Sequence, residues 1–551
     1  MRLAGTSYDI SCPRLKRLQM VGIQRPMAND NTAIDLAEGI RAGVAGRRVL
    51  VIGAGPGGLA SAMLLRAAGA EVTLLEKEDQ PGGRTGAIQR DGYTFDIGPT
   101  FFLYPEILAE IFSACGRDLR EEVDLIRLDP MYRLQFDDGR AIDATHDLEE
   151  LTRQVAAIDE RDAAQVGPYL EANRAKFDSF RTILQRPFLG PRDLMRGDMT
   201  RALPNFRPWS TVDGELRRWF KNPDVRVAFS FQSKYLGMSP FKCPSLFTII
   251  AHVEYGFGVF HPRGGCNAIT AAMARIAREM GVDLRLSEPV RQLTLKGRRA
   301  TGAVTDKGSY EADAVVMNAD FATAMTKLVP DAARRRWTDR KIASKTFSCS
   351  TFMLYLGLEG QLPLSHHTVA FSGDYERNVA EIDAGQAPRD PTIYVQNASV
   401  TDPTLAPEGH STLYVLAPVG NLTGGVDWAT LAPSYREKIL DRLSKLAGRD
   451  IRPMIRSELM YTPADWQSQM AVYEGATFNL AHNLGQMLHL RPRNRFEDID
   501  GVYLTGGGTH PGSGLPTIFE SARIASRLCA TDLDLPGASD LTTALPKEAT
   551  I

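Results

Sequence analysis

A glycine turn between a strand and a helix is the feature that most restricts how this chain folds. Gly53, Gly55 and Gly58 form a G-x-G-x-x-G pattern directly after the apolar residues 49–52 and before a run of small and apolar residues. In such a unit the first glycine permits the tight turn, the second lets the backbone approach a pyrophosphate, and the third lets the helix pack on the strand. The pattern predicts a βαβ unit that binds a dinucleotide.

The residues that follow favour FAD over NAD as that dinucleotide. Glu76 ends the next apolar stretch, about 20 residues after the turn, where a carboxylate can accept hydrogen bonds from an adenosine ribose. Gly83 and Arg84 follow in the segment PGGR and bring backbone amides and one cation near a second stretch of phosphate and ribityl. Alternatively, Glu76 is an ordinary acid at the end of a strand and Arg84 forms an ion pair on a surface turn.

A second glycine-rich segment near the other end of the chain sets the domain organisation. Residues 501–526 read as a strand, glycines and a helix, and the middle of the chain holds a helical stretch at 266–280 and β-rich stretches at 348–358 and 411–419. We expect an α/β fold with a Rossmann-like FAD-binding domain, an inserted mixed-sheet substrate domain and a helical membrane-associating part. The FAD-binding domain is predicted to consist of the segments 47–145, 261–330 and 496–532. Between them lie a substrate and membrane-facing helical region at 146–260 and a substrate-binding domain at 331–495. An extension at 1–46, expected to be disordered, precedes them, and a tail at 533–551 follows.

Composition narrows the class of protein further. The formal net charge of −2 gives no global field that would attract nucleic acid, so we expect no nucleic-acid partner. The six cysteines include no CxxC pair and the histidines are not clustered, which predicts reduced thiols and no metal site. We see neither a signal peptide nor a spanning segment, so a cytoplasmic location is expected.

Several separated blocks resemble the bacterial-type phytoene desaturases, the carotenoid branch of the FAD-containing amine oxidase superfamily. The resemblance runs from about residue 47 to about residue 529, and GGGTHPGSGLP at 506–516 is its most specific block. The other blocks are GAGPGGLASA, LLEKEDQPGGR, YTFDIGPT, FSFQSKYLGMSPF, VFHPRGG, MNAD and LAPEG.

The resemblance implies further contacts with FAD. Gly508 and Gly514 belong to the C-terminal block, where glycines permit close approach and a helix starting near Gly514 would aim free N–H groups at the flavin pyrimidine ring. Val290, in EPVRQL, is implied to meet the adenine through its backbone, although a core valine would look the same. His510 either faces the flavin or makes a local hydrogen bond.

Asp193 and Arg196 are the candidate catalytic residues. They lie three apart in PFLGPRDLMR and match an Asp and an Arg that have been proposed to act in the family. Asp193 could accept the proton that desaturation releases, and Arg196 could orient it or hold an electron acceptor. The alternative is a surface ion pair.

The implied substrate is a hydrophobic polyene, which would enter an apolar tunnel from the membrane surface. Residues 181–209 interleave arginines such as Arg186, Arg192 and Arg201 with bulky apolar residues such as Met195 and Trp209, a pattern typical of an interfacial segment. A helical lid packed on the domain is the alternative. Residues 229–235 read as core and tunnel wall.

We therefore expect desaturation of a linear carotene precursor by hydride transfer to FAD, with oxygen or a quinone as electron acceptor. A carotene cis-trans isomerase, a carotenoid oxygenase and a non-catalytic carotenoid-binding protein stay open as alternatives. The sequence does not distinguish a C30 precursor such as dehydrosqualene from C40 phytoene.

Overall fold

The structure is a computed structural model that describes residues 46–202, 205 and 207–542. Strands in these residues form two main sheets and several small ones. In chain order the strands are β1 Arg48–Ile52, β2 Glu71–Leu75, β3 Ala87–Arg90, β4 Tyr93–Asp96, β5 Phe102–Leu103, β6 Leu125–Arg127, β7 Tyr132–Gln135, β8 Ala141–Ala144, β9 Val259–Pro262, β10 Asp283–Arg285, β11 Val290–Lys296, β12 Arg299–Thr305, β13 Gly308–Glu311, β14 Ala314–Met317, β15 Ser350–Glu359, β16 His367–Ala370, β17 Ile393–Gln396, β18 His410–Val419, β19 Ile455–Tyr461 and β20 Val502–Leu504.

Ten helices in the described residues are eight residues or longer. They are α1 Pro56–Ala67, α2 Glu106–Ala114, α3 Leu148–Ala156, α4 Val166–Leu184, α5 Val212–Trp219, α6 Asn267–Glu279, α7 Phe321–Leu328, α8 Tyr375–Asp383, α9 Trp428–Ala447 and α10 Leu515–Asp532. Helix α1 begins directly after the glycine turn, with Pro56 in its first position, where the fixed proline φ suits a helix and no N–H is lost.

A five-stranded parallel sheet carries the glycine turn. Its order is β10-β2-β1-β14-β20, and every neighbouring pair is parallel. Side chains alternate across a strand, so Val49 and Val51 pack with α1, α6 and α10 while Leu50 and Ile52 pack with the β11–β13 meander and α7. The sheet is buried on both faces, as expected of a parallel sheet.

A seven-stranded mixed sheet forms the second layer. Its order is β19-β15-β18-β17-β16-β7-β8, with only β16 and β7 parallel. On one face the leucines and valines of β15 and β18 pack against α9. The opposite face of the sheet carries tyrosines, including Tyr355 and Tyr414.

The strands of the parallel sheet come from separate parts of the chain. The parallel sheet is assembled from residues near 50, 75, 285, 315 and 503, so the dinucleotide-binding layer is discontinuous. However, β7 and β8, which we assigned to the first FAD-binding segment 47–145, belong to the mixed sheet. Their place depends on pairing with β16, more than 200 residues later, which no local pattern reveals.

The described residues from Gly46 onwards form one compact unit. The segment 146–260 is largely helical, and none of the helices in residues 46–202, 205 and 207–542 combines the length and apolar character that crossing a bilayer requires. The expectation of an extension at 1–46 lies outside the described residues apart from Gly46, and the tail is described only to residue 542.

Candidate flavin site

A cavity of about 530 Å³ joins the carboxyl ends of the parallel strands to the tyrosine face of the mixed sheet. The carboxyl ends of parallel strands are where α/β sheets bind ligands. At one end the wall contains the glycine turn, and at the other it contains aromatic side chains. The same cavity therefore borders both a dinucleotide-type turn and an aromatic wall.

The glycine turn has the geometry that a pyrophosphate needs. Gly53 has a φ of +93°, which favours glycine, and its N–H donates to the Leu75 carbonyl at 2.8 Å. A Cβ on Gly58 would lie 1.9 Å from the Gly53 carbonyl oxygen, so only glycine lets α1 pack this closely. Gly55 caps α1 at the cavity wall, where the free N–H groups of the first helical turn favour negative charge.

Asn318 supports this turn, and the sequence analysis missed it. Its Nδ2 donates to the Gly53 carbonyl at 3.3 Å, and a Cβ on Gly55 would lie 2.9 Å from the same nitrogen. The sequence contained an indication of this residue, because Asn318 belongs to the MNAD block of the family resemblance and follows β14 directly.

Glu76 and Val290 also lie in the wall, as the dinucleotide prediction requires. The Glu76 carboxylate accepts the N–H of Ala54 at 2.6 Å and of Glu78 at 3.0 Å, which fixes it at the end of β2. Burial raises the pKa of Glu76, while these two hydrogen bonds oppose that rise. Val290 begins β11, so its backbone borders the same end of the cavity as Glu76 does.

Gly83 and Arg84 border the cavity next to the glycine turn. Arg84 donates to the Thr477 carbonyl at 2.7 Å and forms no ion pair within the described residues, so the surface ion-pair alternative is wrong. The nearby Asp320 also lines the cavity; its burial raises its pKa, and the Arg84 charge opposes that shift. Arg84 thus presents a cation toward the wall without a carboxylate in contact.

The C-terminal glycine segment forms another part of the wall through Gly506, Gly507, Ser513 and Gly514. Gly514 caps α10 with a φ of +108°, so this second helix also starts at the cavity. Gly508, which we also expected to contact the cofactor, is not part of this wall. A Cβ there would lie 2.6 Å from the Cβ of Phe321, so tight packing accounts for this glycine.

His510 lies outside the cavity wall and makes a hydrogen bond to a distant part of the chain. Its Nε2 lies 2.9 Å from the Arg186 carbonyl oxygen, and its ring packs on Phe188. Burial lowers the pKa of His510 to about 4, so the ring is neutral at pH 7 and its Nε2–H can donate to that carbonyl. His510 thus binds a part of the chain 324 residues earlier, outside its own glycine segment.

Asp193 and Arg196 form the expected pair, but the structure does not bring them to the cavity wall. Arg196 donates to Asp193 at 2.6 Å, and the other Asp193 oxygen accepts the N–H of Leu189 at 2.6 Å and of Gly190 at 2.9 Å. These contacts cap the short helical turn Pro191–Met195. Spacing predicted their contact, but it could not predict that they lie outside the cavity wall.

The far part of the cavity has an aromatic wall. Phe231 and Tyr235 line it, as the sequence predicts for residues 229–235, while Phe229 is buried in the core beside them. Further rings come from the loop after β4, from strands β17 and β18, from the residue after β16 and from the start of α8; they are Phe101, Tyr394, Tyr414, Phe371 and Tyr375. Such a wall suits an elongated apolar molecule.

The residues of the first part of the cavity fit FAD. Glycines at 53, 55, 83 and 514 leave backbone exposed at the wall, and two helices begin there. The Thr477 and Ser513 hydroxyls, which belong to wall residues, have no hydrogen-bond partner within the protein and are free to bind a polar ligand. No group of three or more His, Cys, Asp or Glu side chains in the described part of the chain could hold a metal ion.

Fold and site together define a flavoprotein oxidoreductase, and comparison with known proteins agrees. The sequence profile of the family described as flavin containing amine oxidoreductase matches residues 56–530. The chain is 41% identical over 485 residues to a 4,4'-diapophytoene desaturase (4,4'-diapolycopene-forming) from Methylomonas sp, covering 88% of this chain and 95% of that protein. It is 38% identical to an all-trans-zeta-carotene desaturase from Myxococcus xanthus, covering 87% and 92%.

Solved structures with the same fold are more distant in sequence. An oxidoreductase from Methanosarcina mazei aligns with a TM-score of 0.60 at 18% identity, covering 86% of this chain and 98% of that one. Cyclohexylamine oxidase from Brevibacterium oxydans aligns with a TM-score of 0.56 at 16% identity, covering 89% and 100%. The chain belongs to the flavin containing amine oxidoreductase family, among its bacterial carotenoid desaturases. Its cofactor is FAD.

Proposed function

We propose that this protein introduces C=C bonds into a linear carotene precursor, either phytoene or a C30 analogue such as dehydrosqualene, while it rests on a membrane surface. The observation that carries the proposal is the continuity of the cavity, which runs from the glycine turn to an aromatic wall. The curated relatives named for 4,4'-diapophytoene and zeta-carotene support the same substrate class.

FAD would supply the chemistry by accepting a hydride from the substrate. The chain supplies binding and orientation. The starts of α1 and α10 and the cation of Arg84 would hold the phosphates and the flavin, and Glu76 would hold the ribose. The aromatic side chains of the far wall would align the polyene and exclude water. Oxygen or a quinone would then take the electrons from the reduced protein.

Residues 181–209 support the membrane-surface part of the proposal. Met195 is 75% exposed, Trp209 is 83% exposed and Leu194 is 36% exposed. Insertion at the headgroup boundary would remove these bulky apolar side chains from water. Arg192 and Arg201 are exposed in the same segment, where they could bind anionic lipid headgroups. Leu203 and Phe206, which belong to this segment, lie outside the described residues.

Anaerobic mixing of the FAD-loaded protein with phytoene or dehydrosqualene tests the reaction. We expect the flavin absorbance to bleach and the product to lose two hydrogen atoms for each new double bond. An unchanged product mass would indicate an isomerase, and a gain of oxygen on admitting air would indicate an oxygenase. Flavin that never bleaches with either substrate would favour a carotenoid-binding protein.

Co-sedimentation with liposomes tests the membrane surface. The variant Arg192→Glu/Arg201→Glu should bind anionic liposomes less than the wild type, and high salt should weaken the wild type in the same way. The result of Arg186→Glu would be harder to interpret, because Arg186 pairs with Asp198 at 2.9 Å and the variant would also break this ion pair. The matched control is Arg335→Glu/Arg340→Glu, which reverses two exposed arginines elsewhere. Equal binding by all three proteins at every salt concentration would place the interfacial segment elsewhere.

A further inference from the structure

A buried polar column leaves the aromatic part of the cavity through Tyr394. The Tyr394 hydroxyl oxygen lies 2.6 Å from Thr100 Oγ1 and 2.8 Å from His367 Nδ1, and both Thr100 and Tyr394 line the cavity. His367 begins β16, next to β17, which carries Tyr394, so the sheet register holds the two side chains together. This is a hydrogen-bonded hydroxyl at a wall that is otherwise mainly apolar.

The column continues behind His367. The rings of His366 and His367 have centroids 4.3 Å apart, and the Nε2 atoms of both are buried without a hydrogen-bond partner. His366 Nδ1 lies 2.7 Å from Thr401 Oγ1, and Thr401 is half-buried. The polar groups thus lead from the cavity wall towards the protein surface.

We propose that this column removes the proton released by each desaturation, with the Tyr394 hydroxyl as the group that takes it from the substrate and His367 as its acceptor. The inference rests on the proposed desaturation. In that reaction one substrate carbon loses a hydride to FAD, and the neighbouring carbon loses a proton while the electrons of its C–H bond form the new double bond.

The proton balance requires Tyr394 to act as a relay. The substrate proton goes to the Tyr394 oxygen as the Tyr394 proton goes to His367 Nδ1, so the tyrosine ends neutral. With the Tyr394 proton directed to His367, the Thr100 hydroxyl 2.6 Å away donates to the Tyr394 oxygen and orients it, and the remaining lone pair of that oxygen is available to the substrate. His367 then carries a proton on each ring nitrogen, and the proton on its Nε2 lies on the His366 side. A small rotation of either ring, or a bridging water, would pass a proton to His366 and on to the Thr401 side.

The lowered pKa values of the two histidines suit groups that pass a proton on rather than keep it. Burial and the neighbouring histidines lower the pKa of His367 well below its usual range, and the same causes lower the pKa of His366 to about 3. Both rings are therefore neutral acceptors at pH 7. A weak base is sufficient, because the proton beside an allylic cation is strongly acidic, and a weak base also releases its proton readily.

Two variants test the relay in the FAD-loaded protein. Tyr394→Phe removes the hydroxyl and keeps the ring, and His367→Gln keeps a hydrogen-bond acceptor that cannot carry a proton. We expect either to lower the anaerobic single-turnover rate by about 100-fold, the range of a positioned acid-base group. The dissociation constant of the carotene and the flavin content should stay at their wild-type values. The matched control is Tyr355→Phe, which loses a buried hydroxyl bonded to the Ile97 carbonyl at 2.7 Å outside the cavity wall.

A second readout does not depend on turnover. In protein labelled with ¹⁵N-histidine, the His367 ring should show its proton on Nε2 and a hydrogen-bonded Nδ1, and the Nδ1 signal should shift in Tyr394→Phe. A full single-turnover rate in Tyr394→Phe or His367→Gln, or an Nδ1 signal that carries the proton, would overturn the relay. A wild type that no linear carotene reduces would instead overturn the proposed function.

Discussion

Arg491 donates to the carbonyl oxygen of Gly507 at 2.7 Å from beneath the C-terminal glycine segment. The same guanidinium donates to the carbonyls of Thr509 and Leu480 at 3.0 Å each. It is fully buried and has no ion pair in the described part of the chain. Burial lowers the pKa of Arg491 to about 9, so it is still protonated at pH 7. One cation therefore binds the loop of the flavin site to the 480–491 segment through backbone oxygens.

Replacing this cation should destabilise the whole unit. Arg491→Met leaves several buried carbonyls without donors, at about 1–3 kcal/mol for each unsatisfied group. We expect a lower Tm and a reduced flavin content, measured by thermal unfolding and by absorbance. Arg335→Met, which changes an exposed arginine, is the control and should leave both unchanged. Equal Tm values for the two variants would contradict the role assigned to Arg491.

A side chain at Gly55 should exclude the cofactor. A Cβ there would lie 2.9 Å from Asn318 Nδ2 and would occupy the wall beside the start of α1. Gly55→Val should lose most of its bound FAD, measured as flavin absorbance per protein, because the pyrophosphate can no longer approach the backbone. Gly197→Val is the control, since a Cβ at Gly197 meets nothing within 4 Å. Full flavin content in Gly55→Val would refute the site.

The carboxyl group of Asp96 should make stability depend on pH. It accepts the Cys266 N–H at 2.7 Å, and burial raises its pKa to about 7. Because this value lies above the unfolded value of about 3.9, the stabilising contribution of Asp96 is complete below about pH 4 and is lost as the pH rises through about 7. Asn resembles the protonated form, so Asp96→Asn should gain stability relative to the wild type across this window.

Chemical denaturation at a series of pH values measures this difference. The free energy of unfolding of Asp96→Asn minus that of the wild type should rise by a few kcal/mol between pH 4 and pH 7, since each unit of pKa shift corresponds to about 1.4 kcal/mol. Asp500→Asn, which makes the same substitution at an exposed carboxyl group, is the control for the substitution itself. A flat difference for Asp96→Asn would show that its carboxyl group ionises normally.

The sequence predicts well those parts of the site that local pattern determines. The glycine turn, Glu76 and the helix that starts after Gly514 lie where expected, because strand, turn and helix signals are contiguous in the chain. The Tyr394 column was not predictable, because Thr100 and Tyr394 are 294 residues apart and meet only through the mixed sheet. Arg491 was missed for a related reason, since a lone arginine gives no sign that it will be buried under backbone carbonyls.

The last prediction separates the Asp193 and Arg196 pair from the C-terminal glycine segment as the source of activity. Asp193 lies outside the cavity wall and binds two N–H groups of its own turn, so Asp193→Asn should keep its FAD and lose less than about 10-fold in rate. A positioned base would be worth about 10²–10⁴-fold. Gly512→Ala should lose flavin and activity, because Gly512 has a φ of +154° and a Cβ there would lie 2.4 Å from His482 Nε2.

His482 explains why the loop cannot adapt to that methyl group. The ring is fully buried, and its Nε2 accepts the N–H of Ser513 at 3.1 Å. Ser513 and the next residue, Gly514, both belong to the cavity wall. Displacing the ring would break this hydrogen bond and move Ser513 and Gly514 at the start of α10. Flavin content and the anaerobic single-turnover rate should be measured on both variants. An inactive Asp193→Asn with normal flavin, beside a fully active Gly512→Ala, would move the catalytic centre to the Asp193 and Arg196 pair.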